Sequence, residues 1–387
     1  MTGTTTFVDL VGARAGVGTR AKAVAGALMR LGLTGQRVLV LLPPGAEYVA
    51  TLLGCLYAGV VAIPAPPYDN RRLAEVVDDA QPAAAIGLPL ANVRNLAGLD
   101  GDPHDWRRPD VGPDTLALLQ YPPGPTRGVM LTHGNLAAAA TQLARHVGMR
   151  STTGVVSYLP PYSDLGLVGG VLAPLLTGAR VTLVPPDTTP GEWLRTVSLR
   201  RASVSFAPDL AYAWHAIPTG LDLSRWDVAV TGAGPETLGR FANLLAPQGF
   251  REQALFPAYW APEATALVTG RRGLAVGGFD ADSLEPGRLV KLGDTRLVDH
   301  GMPTQDTEVA IVDPLTATRC PDGTAGEVWV AGPNVAVGYL GRPGASERTF
   351  CARLRGSTDN YLRTGRFGFL HGGGLHLAEP QNVLLTR

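Results

Sequence analysis

The chain has 387 residues, 45% of them hydrophobic, which suits two or three packed globular units better than one simple core. Its 33 Lys and Arg balance 33 Asp and Glu, and this zero net charge carries no electrostatic footprint for nucleic acid or an anionic membrane. Lys22 and Lys291 are the only lysines, and Cys55, Cys320 and Cys351 are too scattered for a zinc site or a disulfide framework.

In chain order, GARAGVGTR (12–20) has a superficial likeness to a Walker A loop. It lacks the Lys-Ser/Thr that follows the last glycine there, so no phosphate role is expected of it. Apolar spacing predicts an amphipathic helix over 19–33. A short apolar strand RVLVLLP (37–43), a helix 47–59, a strand 60–66, a helix 71–81 and a strand PAAAIG follow. This alternation argues a mostly parallel sheet covered by helices. The pattern resumes with a strand at TLALLQY, a turn PPGPTR, and GVMLTHGNL opening a helix. GVVSYLP, ARVTLVPP and RWDVAVTGAG read as further strands, with helices at 165–178, 191–201 and from Pro235 onward. Near residue 285 the composition changes to short alternating segments: RLVKLG, EVAIVDP, GEVWVAG, VAVGYL and GLHLAE. They predict a β-rich unit over 286–387, behind two interleaved α/β subdomains over 1–285. No charged, apolar leader opens the sequence and no apolar run reaches membrane length, so a cytoplasmic protein without a membrane span is expected.

Several of these segments together resemble the adenylate-forming superfamily, and within it the fatty-acyl-AMP ligases. SYLPPYSDLGLVGG (157–170) is similar to their SWLPxYHDMGLIGG segment, and FPAYWAPEATALVTG (256–270) to their YGxAEAT motif. PPGAEYVATLLGCLYAGVVAIPAPP, WDVAVTGAGPETLGRF, GEVWVAGPNVAVGY and YLRTGRFGFLHGGG match other stretches in the family's order. The resemblance implies an α/β fold of two packed subdomains with mostly parallel sheets, plus a smaller distorted-barrel subdomain. It also implies ATP and Mg²⁺ as cofactors, a fatty acid as substrate and an acyl-carrier protein as acceptor.

The departures from the family bear on each of those implications. Where the family has a phosphate loop reading roughly TSGSTGxPKG, this chain has PPGPTRG (122–128). Proline has no N–H to give, no serine remains, and Arg127 stands in the lysine's place. Each charge-assisted bond lost is worth roughly 1.5–3 kcal/mol. Ser163 replaces a histidine beside the retained Asp164, and Gly234 replaces a glutamate beside the adenine. Arg366 replaces the ribose-binding aspartate, and arginine has no acceptor. Trp260 and Phe206 stand at family glycines, with Asp209 in place of an asparagine. Two readings of these aromatics stay open: a reshaped acyl tunnel, or space filled where ATP no longer sits. The sequence ends at Arg387 in LAEPQNVLLTR, so the family's hinge, small domain and catalytic lysine are expected to be absent.

Some features persist. Glu263 matches the Mg²⁺-holding glutamate, Thr265 its neighbour and Tyr259 the adenine-stacking tyrosine. The resulting expectation is a ligase frame that no longer makes adenylates, with no ATP or metal bound unless Glu263 keeps Mg²⁺. The leading function is an ATP-independent catalyst on an acyl or polyketide-like substrate, free or carrier-bound. Asp164, Asp209 and Glu263 would serve as acid or base, with Arg127 and Arg366 as anion-binding groups. Tyr158, Ser163, Phe206, Tyr212, Tyr259, Trp260 and Thr265 would contact the substrate. Two alternatives stay open: a non-catalytic accessory that binds an acyl group, a carrier protein or a partner enzyme, and an active ligase whose small domain comes from another chain.

Overall fold

The computed structural model describes residues 6–11, 18–67, 70–96 and 98–378. Most of the 12–20 segment and the terminal stretch 379–387 lie outside the described residues.

A first sheet runs in the order Gly338–Tyr339, Val129–Thr132, Leu116–Gln120, Val61–Pro64, Arg37–Leu41, Ala84–Gly87, Asn95–Leu96. Its central strands are parallel, and their apolar runs are continuous because helices cover both faces. Helices Gly18–Arg30 and Ala46–Tyr57 pack closely. A Cβ on Gly54 would lie 2.6 Å from Val24 Cγ1, so only glycine allows this approach.

A second sheet is ordered Met302–Pro303, Leu267–Gly270, Leu255–Trp260, Val228–Thr231, Val204–Phe206, Gly154–Ser157, Arg180–Leu183. The last five strands in that order are parallel, so their carboxyl ends open on one side of the sheet. Behind it, helices Pro190–Leu199 and Pro235–Leu245 bury Trp193 and Phe241 into an aromatic core with Trp226 and Phe250. Tyr48 bridges the two sheet systems: its hydroxyl donates to the Pro161 carbonyl at 2.8 Å.

The third unit is a curled antiparallel half-barrel. Glu308–Asp313, Gly326–Ala331 and Asn360–His371 are its main strands, and Gly374–Ala378 returns along the last. The composition change at 285 falls inside the hairpin of Val276–Phe279 with Thr295–Val298. Two short strands beyond it rejoin the α/β sheets: Met302–Pro303 extends the second sheet and Gly338–Tyr339 edges the first. RLVKLG makes only isolated bridges, Leu289 to Thr324 and Leu292 to Phe279.

Two further elements differ from the sequence expectation. Val129–Thr132 is a strand antiparallel to Leu116–Gln120, so PPGPTR is the bend of a hairpin. The helix His133–Val147 begins only after it, at a capping box in which Thr132 and Asn135 exchange side-chain bonds. The helix expected over 165–178 is interrupted by a π turn at Val168–Leu172. Gly169 and Gly170 lie in that turn, and Cβ atoms there would meet Phe206 and Ser157 at 2.7 and 2.8 Å.

Candidate active site

At the carboxyl ends of the second sheet lies a cavity of about 380 Å³, where open parallel sheets place their ligands. Asp209, Tyr259, Trp260, Glu263 and Arg366 line it together. Together with Gly232 these residues come from four separate segments, and the topology gathers them. Asp209 follows strand Val204–Phe206, Gly232 follows Val228–Thr231, and Tyr259 and Trp260 end Leu255–Trp260. Arg366 arrives from the half-barrel strand Asn360–His371.

Local bonding fixes each group. Asp209 Oδ1 accepts the Gly232 N–H at 2.8 Å and the Thr231 hydroxyl at 3.3 Å, which ties two strand ends together. Glu263 sits on the single turn Pro262–Ala264, and its Oε1 accepts the Tyr339 hydroxyl at 2.9 Å. The Arg127 guanidinium lies 5.6 Å from the centroid of that Tyr339 ring, so Arg127 reaches the site through Tyr339. Thr265 has a φ of 64°, a genuine outlier for a β-branched residue. It is buried, its hydroxyl donates to Asn334 O at 2.6 Å, and Asn334 Nδ2 donates back to Ala264 O at 3.0 Å. The strained turn that presents Glu263 is thus clamped from the 334–336 segment, whose Ala336 N–H bonds the Glu263 carbonyl.

Asp164 opens the helical turn after Ser163. Burial pushes its carboxyl up to about 6, the Leu165 N–H offsets part of this, and the Glu263 charge adds to it. A carboxyl near neutrality beside a second carboxylate has the properties of an acid–base group. Burial also pushes the Tyr259 hydroxyl up to about 12, offset in part by Thr364 and Arg366.

Of the expected catalytic residues, Asp164 and Arg127 are not among those that line the cavity, and other expected site residues also lie elsewhere. Ser163 donates to Pro160 O at 2.8 Å and holds the turn. Phe206 is fully buried against Gly169. Tyr158 stacks on Trp193 and its hydroxyl donates to Thr188 O. Tyr212 is buried beside Phe241 and donates to Val230 O at 3.1 Å. Tyr158 and Tyr212 therefore belong to the aromatic core behind the sheet and do not line the cavity.

The hairpin bend 122–128 is held from outside. Arg72 donates to the Pro122 and Gly124 carbonyls at 2.6 and 2.9 Å and to the Thr126 hydroxyl. Arg342 donates to Thr126 O, and the Leu340 N–H donates to Gly128 O. Asp79 takes the Gly128 N–H at 3.3 Å and the Tyr121 hydroxyl at 2.8 Å, and pairs with Arg342 at 2.6 Å.

Sequence reasoning missed three residues. Thr364 and His300 also line the cavity, and Tyr339 bonds Glu263. Burial pushes the His300 imidazole down to about 4, so it is neutral at pH 7. No motif surrounds it in VDHGMP. The Tyr339 contact spans 76 residues and has no local signature.

A family model described as "AMP-binding enzyme" matches residues 15–340. A medium-chain-fatty-acid–[acyl-carrier-protein] ligase of Moorena producens is 35% identical, covering 95% of this chain and 71% of that protein. A putative fatty-acid–CoA ligase of Mycobacterium tuberculosis is 36% identical over 91% of this chain and 70% of its own length. Among solved structures, the fatty acyl-adenylate ligase from L. pneumophila, in complex with acyl adenylate and pyrophosphate, superposes with a TM-score of 0.89. It is 29% identical and is matched over 95% of this chain and 71% of that one. The order of the sheets, the half-barrel, the cavity at the strand ends and these relatives converge: this chain belongs to the AMP-binding enzymes, in the fatty-acyl-AMP ligase-like family.

Proposed function

We propose that this ligase-like chain no longer makes acyl-adenylates and acts without ATP, as a proton-transfer catalyst on an acyl or polyketide-like substrate held in the 380 Å³ cavity. The observation that carries this reading is the bend 122–128. A triphosphate site needs N–H groups free to face the ligand. Here three of seven residues are proline, the Gly128 N–H is taken by Asp79, and arginines hold the carbonyls from behind. Arg366 on the cavity wall supports the same reading, because a ribose needs an acceptor and a guanidinium has none. Glu263 is already engaged by Tyr339, which leaves less of its carboxylate for Mg²⁺. The residues present do not fit Mg·ATP.

Asp209 and Glu263, the carboxylates that line the cavity, are our candidates for moving a proton between substrate atoms, and Asp164, which does not line it, would act through its charge coupling to Glu263. Arg366 would hold a carboxylate or thioester oxygen, and Trp260 would bound the acyl chain. The Moorena relative's acyl-carrier-protein ligase activity supports a carrier-bound form of the substrate. A second reading, an adenylating ligase, draws on the retained Tyr259, Glu263 and Thr265 and on relatives named as ligases. Pyrophosphate release separates the two. With Mg·ATP and fatty acids of graded length, the ATP-independent reading expects no release above the protein-free blank. Steady release that is lost in Glu263→Gln would overturn it.

A further inference from the structure

The opposite end of the second sheet carries a groove of about 960 Å³ whose lining is dominated by arginine. Arg180 opens strand Arg180–Leu183, Arg150 precedes Gly154–Ser157, and Arg200 and Arg201 precede Val204–Phe206. Arg225 precedes Val228–Thr231, and Arg251 precedes Leu255–Trp260. Arg272 joins them because Leu267–Gly270 runs antiparallel and ends at the same edge. Six neighbouring strands are thus marked by arginine, and five inter-strand spacings of about 4.8 Å give a row about 24 Å long. Asp227 is the one acidic residue that lines the groove, and it pairs with Arg251 at 2.5 Å. Arg272 donates to the Asp227 and Val147 carbonyls. Asp222 stands at the margin near Arg201 and Arg225. Arg150, Arg180 and Arg200 make no ion pair among the described residues.

On a chain of zero net charge this is a strong local concentration of one sign. Its guanidiniums repel one another, and a partner of opposite charge would relieve that. Leu199, 79% exposed, sits among them as an apolar contact point. No aromatic residue lines the groove, so nothing there stacks nucleobases. A concave row also cannot lie flat on a bilayer. A row of about 24 Å matches an α-helix of about 16 residues at 1.5 Å each.

We infer that this groove docks an acidic amphipathic helix of a partner protein. The helix's carboxylates would be gripped in bidentate fashion by arginine, and one apolar side chain would rest on Leu199. The surface lies at the far end of the sheet from the cavity, so this inference does not depend on the chemistry proposed there.

The test is a titration, by fluorescence anisotropy, of a labelled 16-residue amphipathic peptide with glutamates on one face and leucines on the other. A 20-nucleotide single-stranded DNA and phosphatidylserine vesicles are run alongside. The expected result is peptide binding that weakens as salt rises from 50 to 300 mM. Arg150→Gln/Arg180→Gln/Arg200→Gln should weaken it at least about tenfold and Leu199→Ser about threefold, while Arg348→Gln/Arg353→Gln leaves it unchanged. All these changes are on exposed side chains, and circular dichroism melting verifies that each variant is folded. Equal binding by the triple variant and the wild type would overturn the inference. So would tighter binding of the DNA or of the vesicles than of the peptide.

Discussion

Asp164 shows how far one residue can be read. Its place beside the ligase motif was legible in YSDLGL, but its raised pKa was not, since that depends on burial and on Glu263 arriving from a distant turn. The shift also has a consequence for stability. The folded pKa of about 6 lies above the ordinary 3.8, so the folded state binds the proton more tightly than the unfolded chain. Stability from this group is fully present below about pH 4 and is lost as pH rises through about 6. Asp164→Asn removes that loss and can still accept the Leu165 N–H. We expect it to stabilise the protein by about 1–2 kcal/mol at pH 7.5 and by nothing near pH 4. Urea unfolding of both proteins at the two pH values checks this, and a destabilised variant at pH 7.5 would contradict it. Phe206 and Trp260 were legible as bulk standing at family glycines. What they fill became clear only when Phe206 was found against Gly169 and Trp260 beside Gly232.

At the scale of elements, the parallel strands were readable because burial on both faces leaves continuous apolar runs such as RVLVL. The hairpin strand Val129–Thr132 was not, because its apolar run passes directly into the helix from His133 and hides the boundary. The proline bend could be read as unfit for phosphate, but not as clamped. That needs Arg72 and Asp79 of the helix Asn70–Ala80 and Arg342, all far from the bend in sequence. Asp79 holds the centre of the clamp, with its side chain 10% exposed. Asp79→Ala should cost about 2–3 kcal/mol, by leaving the Tyr121 hydroxyl and Arg342 without their partner. The Gly128 amide should also exchange faster with solvent. Unchanged stability together with unchanged exchange would mean that the clamp does not hold the bend.

At the scale of the whole molecule, the order of βα units and the switch to antiparallel strands were legible. Their mixing was not: Met302–Pro303 and Gly338–Tyr339 return to the α/β sheets and bring Tyr339 to Glu263. The arginine row was invisible for the same reason, since its members occupy separate loops until the sheet aligns them. Buried histidines set the acid behaviour. Burial pushes His133 and His300 down to about 4 and lowers His376, all from an ordinary 6.5. Their stabilising share is complete above about pH 6.5 and is lost as pH falls toward 4. His133 and His300 each contribute on the order of 2 kcal/mol to that loss by pH 5, His376 acts in the same direction, and the Asp164 effect offsets only part of it. The urea midpoint should therefore fall between pH 7 and pH 5, and a midpoint that rises or holds steady would contradict this.

We propose that the ligase frame is retained while its adenylate chemistry is not. The most direct test is calorimetric titration with a non-hydrolysable acyl sulfamoyl adenosine, with Mg·ATP titrated in parallel. The mimic spans the adenine, ribose, phosphate and acyl positions at once. No measurable heat from Mg·ATP and no tight binding of the mimic are expected. Tight binding of the mimic together with measurable Mg·ATP binding would contradict it and restore an adenylating ligase.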